Sequence, residues 1–149
     1  MKIATLFGHR DFSDDKSGYE IKKMIIKIIK EQGIDTFYIG YNGKFDRFAA
    51  KLIHEIKKDF PHVKSYMILS RLDQKIYIYD KIDIDKEFDG TIFAPVEFAY
   101  PRFAISKRNE WMIDEAEIVL LYVKYDYGGA YNALKYAKRK KKTYINFAN

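Results

Sequence analysis

Short, largely apolar runs alternate along this chain with longer stretches in which apolar residues recur every three or four positions. That alternation constrains the fold more than any other feature. The runs are Lys2 to Phe7, Thr36 to Ile39, Val63 to Leu69, Thr91 to Ala94, Ile118 to Val123 and Thr143 to Phe147. Each is too short for a helix and reads as a strand. Between them, Ile21, Met24, Ile25, Ile28 and Ile29 carry a helical stripe over Ser17 to Glu31, with a capping-box pattern at Ser17 and Glu20 and Gly33 placed to end the helix. Phe45, Phe48, Ala49, Leu52, Ile53 and Ile56 carry a second helix that stops before Pro61. A third runs from about Phe103 to Ala116, and a fourth opens at Gly128-Gly129 with a narrow stripe of Ala130, Ala133, Leu134 and Ala137, ending in the cations of Lys138 to Lys142. Strands apolar on both faces and separated by helices predict an α/β fold: a Rossmann-like, open, mainly parallel sheet with helices on both faces.

At 149 residues the chain has the length of one domain, so residues 1–149 are expected to share a single core. With 48% apolar and 17% aromatic residues, it lacks the composition of a disordered segment. No apolar run approaches the ~18 residues of a membrane span, and the N-terminus has no signal-peptide core, so a cytoplasmic location without a membrane partner is expected. The absence of cysteine excludes disulfides and thiolate chemistry. His9, His54 and His62 stand in separate segments without ligand spacing, so neither a metal nor a cofactor is expected. The net charge of +6 is compatible with an anionic partner, but lysines spread over helix faces read first as a solvated surface. The 13 Tyr and 11 Phe make a homo-oligomeric surface plausible. Ser70 to Gly90 reads as an irregular excursion or lid, with a short strand at Ile76 to Tyr79 as an alternative. Its acidic residues Asp83, Asp85, Glu87 and Asp89 lack the pattern of a calcium loop.

In open parallel sheets the ligand crevice lies beyond the C-terminal strand ends. Three glycine-containing turns fall there: Gly8-His9-Arg10, Gly40-Tyr41-Asn42-Gly43, and Asp126-Tyr127-Gly128-Gly129. Glycine lets a backbone approach a ligand closely, and a helix N-terminus favours an anion. With Arg10, Arg102 and Arg108 nearby in this arrangement, the turns point to a phosphate-bearing ligand. On the third helix, Ile105, Met112, Ile113 and Ala116 form a core-facing stripe that Arg108 and Asn109 complete. A guanidinium there requires an acidic partner or an anionic ligand. Other residues keep two readings. His9 satisfies backbone groups or touches a ligand, Asp46 stabilises its helix or contacts a ribose, and Tyr127 stacks a base or packs on the glycines.

These residues resemble the SLOG superfamily, the Rossmann-like group that unites DNA-processing protein A with the LONELY GUY enzymes. The resemblance spans nearly the whole chain. It is strongest to small, mostly uncharacterised bacterial members, through Phe7-Gly8-His9-Arg10, the Phe-Tyr-x-Gly-x-x-Gly-x-Phe-Asp pattern from Phe37 to Asp46, the Pro-Arg-Phe-Ala-Ile-x-x-Arg-Asn-x-x-Met pattern from Pro101 to Met112, and Gly128-Gly129-Ala130. It implies a nucleotide or nucleotide-derived ligand held by Gly8, His9, Arg10, Gly40, Asn42, Gly43, Asp46, Arg102, Arg108, Asn109, Tyr127, Gly128 and Gly129. The LONELY GUY enzymes split the N-glycosidic bond of nucleoside monophosphates with Arg-Lys-x-x-Met and Pro-Gly-Gly-x-Gly-Thr-x-x-Glu. Here Arg108 and Met112 match the first, with Asn109 for the lysine. The second survives only as Gly128-Gly129, with Tyr131, Asn132 and Lys135 in place of the glycine, threonine and catalytic glutamate. The expected function is therefore binding, for sensing or sequestration. The alternative is a nucleotide-processing hydrolase that uses Arg108, with Asp46 or Glu110 substituting for the glutamate. A weaker alternative is single-stranded nucleic-acid binding.

Overall fold

Six parallel strands in the order β4-β3-β2-β1-β5-β6 form the centre of the computed structural model, which describes residues 1–13, 16–70, 86–96 and 99–148. The elements are β1 (Ile3–Gly8), α1 (Lys16–Gln32), β2 (Thr36–Ile39), α2 (Lys44–Ile56), β3 (Lys64–Leu69), β4 (Gly90–Phe93), α3 (Ala104–Glu115), β5 (Ile118–Tyr122), α4 (Gly129–Arg139) and β6 (Thr143–Asn146). A 3-10 turn, Pro101–Phe103, leads into α3. The sheet, its all-parallel pairing and its two helical layers are the α/β architecture that the alternation predicts. The excursion's possible strand at Ile76 to Tyr79 lies outside the described residues.

The strands read as continuous apolar runs because both faces are covered. Ala4, Leu6, Phe37, Ile39, Met67, Leu69, Ile118 and Leu120 point to the layer of α1 and α2, where they meet Ile21, Ile25, Ile28, Ala49 and Ile53. Ile3, Phe7, Tyr38, Ile68, Val119 and Leu121 point the other way, to Met112, Ile113, Ala133, Leu134 and Ala137 of α3 and α4. One residue's shift in register would exchange the two sets.

Helix ends follow local chemistry. Gly33, at φ +70, closes α1 with its neighbour's amide, since Ile34 N donates to the Ile28 carbonyl at 3.2 Å. At the other end of α1 the expected capping box is corrected: the helix already includes Lys16, so Ser17 lies within the first turn rather than at the cap. In the acidic stretch, Asp89 accepts from the Ser65 amide at 2.8 Å and pairs with Lys57, tying β4's approach to β3. On the opposite layer, the Tyr136 hydroxyl donates to Asp114 at 2.8 Å and joins α4 to α3. Burial, then that carboxylate, push the phenol up to about 12.

The strand order supplies the feature that matters for function. From β1 the chain builds outward through β2, β3 and β4, then returns across the sheet to place β5 on β1's other side. The crossovers on the two sides of β1 cover opposite faces, so a crevice opens beyond the C-terminal ends of β1 and β5.

Candidate functional site

A cavity of about 400 Å³ fills that crevice. It gathers Gly8, His9, Arg10, Gly40, Asn42, Gly43, Asp46, Arg108, Asn109, Tyr127, Gly128 and Gly129, twelve residues from three strand-end turns, the first turn of α2, and α3. Arg102 is not brought to it. Its guanidinium lies over the Phe103 ring, 4.7 Å from the centroid, on the exposed 3-10 turn.

On the β2 side the site is crowded. Arg108 is 2% exposed, and its Nη2 and Nε donate to Asn109 Oδ1 at 2.8 and 3.3 Å, while Nη1 reaches the Ile68 carbonyl at 3.4 Å. With the Asn42 amide oriented to satisfy its neighbours, its oxygen accepts from Arg108 Nη2 at 2.8 Å. Asp46 lies near enough for the Arg108 charge to favour its anion. A Cβ on Gly40 would stand 3.0 Å from both Arg108 Nη2 and Asp46 Oδ2, so glycine is what lets the two groups close over the end of β2. Asp46, in the first turn of α2, accepts the Asn42 amide on Oδ2 at 2.9 Å and thereby stabilises its own helix. Part of the residue reaches the cavity, but the carboxyl is packed deeply enough that burial pushes its pKa up, against the Asn42 amide and the Arg108 and Arg10 charges, which favour the anion.

Two further glycines here serve packing. A Cβ on Gly8 would stand 2.1 Å from the Phe45 ring, and one on Gly43 would stand 2.6 Å from Arg10 Cα. The β1 and β2 turns are held together at this point, where the Lys44 amide donates to the Arg10 carbonyl at 3.1 Å. Gly8 therefore admits an aromatic side chain rather than a ligand.

The β5 side is open. Gly128, at φ +91, and Gly129 have nothing within 4 Å of where a Cβ would stand. They begin α4 with no side-chain cap and no acid in the first turn, so no acid of the helix's own meets its first amides at the cavity. Beside them His9 organises the loop. It is 7% exposed, and its Nε2 accepts from the Lys124 and Tyr125 amides at 2.9 and 3.2 Å, which fixes the neutral ring with its proton on Nδ1. Burial holds its pKa below the ordinary value. The ring satisfies backbone groups, the first of the two readings of His9, and it also lines the cavity. Tyr125 packs on it with ring centroids 4.5 Å apart, and Tyr127, 66% exposed, stacks on Tyr125 at 5.3 Å and 11°.

Tyr125 and Asp11 also line the cavity and were not singled out in the sequence. The Tyr125-x-Tyr127 spacing was the available signal, since alternate residues of an extended loop project to one side. Ile105 is a correction: expected on the core stripe, it is 38% exposed at the cavity rim, because α3 begins beyond the strand ends with no sheet beneath it. Glu110 lines a smaller neighbouring cavity between α3 and α4 instead, beside Lys107 Nζ at 3.4 Å. Lys135 lies exposed over Tyr131, outside both linings. Asp46 and Asp11 are the carboxylates that line the main cavity among the described residues. Among the described residues no cluster of potential metal ligands occurs, and no helix is long and apolar enough to cross a membrane.

No family model matches the chain. The chain is 28% identical over 139 residues to the uncharacterized SPbeta prophage-derived protein YoqJ of Bacillus subtilis (strain 168), an alignment covering 82% of this chain and 78% of that protein. Among solved structures it is similar to DNA processing protein A from Streptococcus pneumoniae, with a TM-score of 0.62 at 11% identity. The fold is that of a DNA processing protein A-like Rossmannoid domain. The match covers 96% of this chain and 49% of the other, so the chain spans about half the length of that protein.

Proposed function

We propose that this domain binds a nucleotide or nucleotide-derived ligand in the cavity at the ends of β1, β2 and β5, as a sensing or sequestering module. The observation that carries the reading is the vacant space beside Gly128 and Gly129, next to the uncapped N-terminus of α4. Free amides and a helix dipole favour a phosphate there. The Tyr125 and Tyr127 rings offer a face for a base, and a volume of about 400 Å³ lies in the range of small-molecule sites. Arg10 and Arg108 contribute positive potential from the opposite wall.

The test is a thermal-unfolding screen against nucleoside mono- and diphosphates and cyclic nucleotides. A ligand at a hundredfold excess over its Kd stabilises the folded state by about 2.7 kcal/mol, which for a domain of this size raises Tm by roughly 5 °C or more. A flat response to the whole panel overturns the proposal.

Hydrolysis of the N-glycosidic bond is the second reading, and Asp46 is what favours it. A buried carboxyl with a raised pKa in a ligand cavity is the form in which a general acid is held. Against it, Lys135 stands where the LONELY GUY glutamate would be and lies outside the cavity. Free base released from a nucleoside monophosphate, and lost on Asp46→Asn, would decide for the enzyme.

A further inference from the structure

Past Tyr122 the ladder stops on both edges of β5. Its last partner on β1 is Gly8, opposite Tyr122, and its last on β6 is Asn146, opposite Leu121. The next three residues lead into the cavity wall, and side chains hold their backbone. Asn146 Oδ1 accepts the Val123 amide and its Nδ2 donates to the Val123 carbonyl, both at 2.9 Å, so one side chain continues the pairing with β6. From the β1 edge, His9 Nε2 accepts the Lys124 and Tyr125 amides at 2.9 and 3.2 Å. We infer that His9 and Asn146 position the wall from Tyr125 to Gly129, and that protonation of His9 releases this wall and weakens ligand binding. The effect on a ligand rests on the nucleotide reading above, whereas the release of the wall is independent of it.

The two anchors respond differently to a proton. The amide of Asn146 keeps its donor and its acceptor at every ordinary pH. Imidazole does not, because the neutral ring accepts on one nitrogen while both nitrogens of the cation are donors. A proton on Nε2 would face two N–H groups at hydrogen-bond distance, so the cation and the held loop exclude one another. The ring is buried, with the Tyr122 ring edge-on at 6.5 Å and the Tyr125 ring packed at 4.5 Å. The charges that act on it are Asp11 of its own turn, which favours the cation, and Lys124 of the loop, which opposes it. Arg10, Asp46 and Arg108 share the cavity with it, two cations and one acid. Burial is the largest influence and keeps the ring neutral near pH 7, so release belongs to the range below the ordinary 6.5 of histidine.

What the ring holds is the ligand-facing part of the wall. Tyr125 packs on His9 and Tyr127 stacks on Tyr125 at 5.3 Å, so the pair of tyrosines rests on the imidazole. Tyr127 leads directly into Gly128 and Gly129. Freed from His9, the loop is anchored by Asn146 at Val123 and by α4 at its other end, and the tyrosines between lose their support. Apparent affinity then falls with the fraction of molecules in which the wall is held.

The experiment pairs NMR of the full chain with calorimetric titration of AMP, GMP and UMP, both between about pH 8 and about pH 5. In the wild type, the Lys124 and Tyr125 amides are expected to shift and lose exchange protection with the midpoint of the His9 ring, while the Val123 amide stays protected. This arm needs neither a variant nor a ligand. A His9 ring that titrates while both amides stay protected overturns the inference, and so does a ring that remains neutral throughout. The nucleotides are expected to bind about three- to tenfold more weakly at the acid end. His9→Gln keeps an acceptor near the position of Nε2 and does not titrate. Its affinity should therefore retain only the shallower slope that the ligand phosphate and Asp46 impose on both proteins. Equal slopes in wild type and His9→Gln overturn the assignment to His9. Asn146→Ala should open the Val123 amide to exchange at every pH and leave the His9 midpoint in place, and continued protection of that amide overturns the part given to Asn146. If no nucleotide binds at any pH, the nucleotide reading falls, and the amide spectra of the wild type decide whether His9 holds the wall.

Discussion

The cavity's two walls carry the same kind of sequence, a glycine turn after a strand and before a helix, and use it in opposite ways. At the ends of β1 and β2, the glycines are filled: Phe45 occupies the space over Gly8, Arg10 that over Gly43, and Arg108 with Asp46 that over Gly40. At the end of β5, the space over Gly128 and Gly129 is empty. Glycine thus brings the protein's own groups together on one wall and leaves room for another molecule on the other.

The contrast breaks most visibly at Arg108. Arg108→Ala is expected to lower stability by about 3–5 kcal/mol, because it empties a buried site and removes the charge whose donors are accepted by Asn109 Oδ1, the Ile68 carbonyl and the Asn42 oxygen. Urea unfolding measures this, and an unchanged midpoint would show that the crowded wall is not held by that charge. Substituting alanine at the glycines should separate the walls next. Gly8→Ala drives a methyl into Phe45 and should cost about 1–3 kcal/mol of overpacking. Gly129→Ala should leave stability unchanged or raise it by about 0.4–1 kcal/mol, since it meets open space and stiffens the unfolded chain. Equal losses at the two positions would remove the distinction.

pH sharpens the comparison, because the two walls respond with opposite sign. His9 has a folded pKa below 6.5, so its contribution to stability is complete above 6.5 and is lost as the pH falls toward the lower folded value, when the unfolded chain binds the proton more readily. Asp46 has a folded pKa above 3.8, so its protonated form favours folding at low pH and that contribution is lost as the pH rises through the folded value. Unfolding free energies of the wild type, His9→Gln and Asp46→Asn across pH 4 to 8 should therefore diverge in opposite directions. Parallel curves would mean that neither burial effect operates. The smallest effect is expected at Lys135. Lys135→Glu, which restores the acid of the LONELY GUY motif, should change stability by no more than about 0.5 kcal/mol at this exposed position. It should also produce no free base from a nucleoside monophosphate, since the side chain lies outside the cavity. Measurable release would place the α4 helix in the chemistry after all.

Much of the site was legible in the sequence because its residues follow strands, and strand ends in a parallel sheet share one edge. Arg108 was legible as a charge on an apolar stripe, and the need for a partner followed from its burial. Its partners' identity did not, because the Ile68 carbonyl and Asn42 stand at the ends of distant strands and are neither the acid nor the anionic ligand that the charge called for. Ile105 misled because periodicity gives the face of a helix but not where the sheet beneath it ends. Arg102 belongs to a short 3-10 turn, whose direction no local pattern fixes.

The sequence by itself determined the elements, their parallel association and the set of turns at one edge, because hydrophobic period and strand length are local properties that burial on two faces must satisfy. Only the tertiary structure decided the strand order and with it the switch between β1 and β5, since the choice of which edge of β1 receives β5 is made by packing across the whole sheet. It also decided which glycines are occupied by protein and which stand open. The sequence writes all of them with one letter, and the difference lies in what the rest of the chain brings beside them.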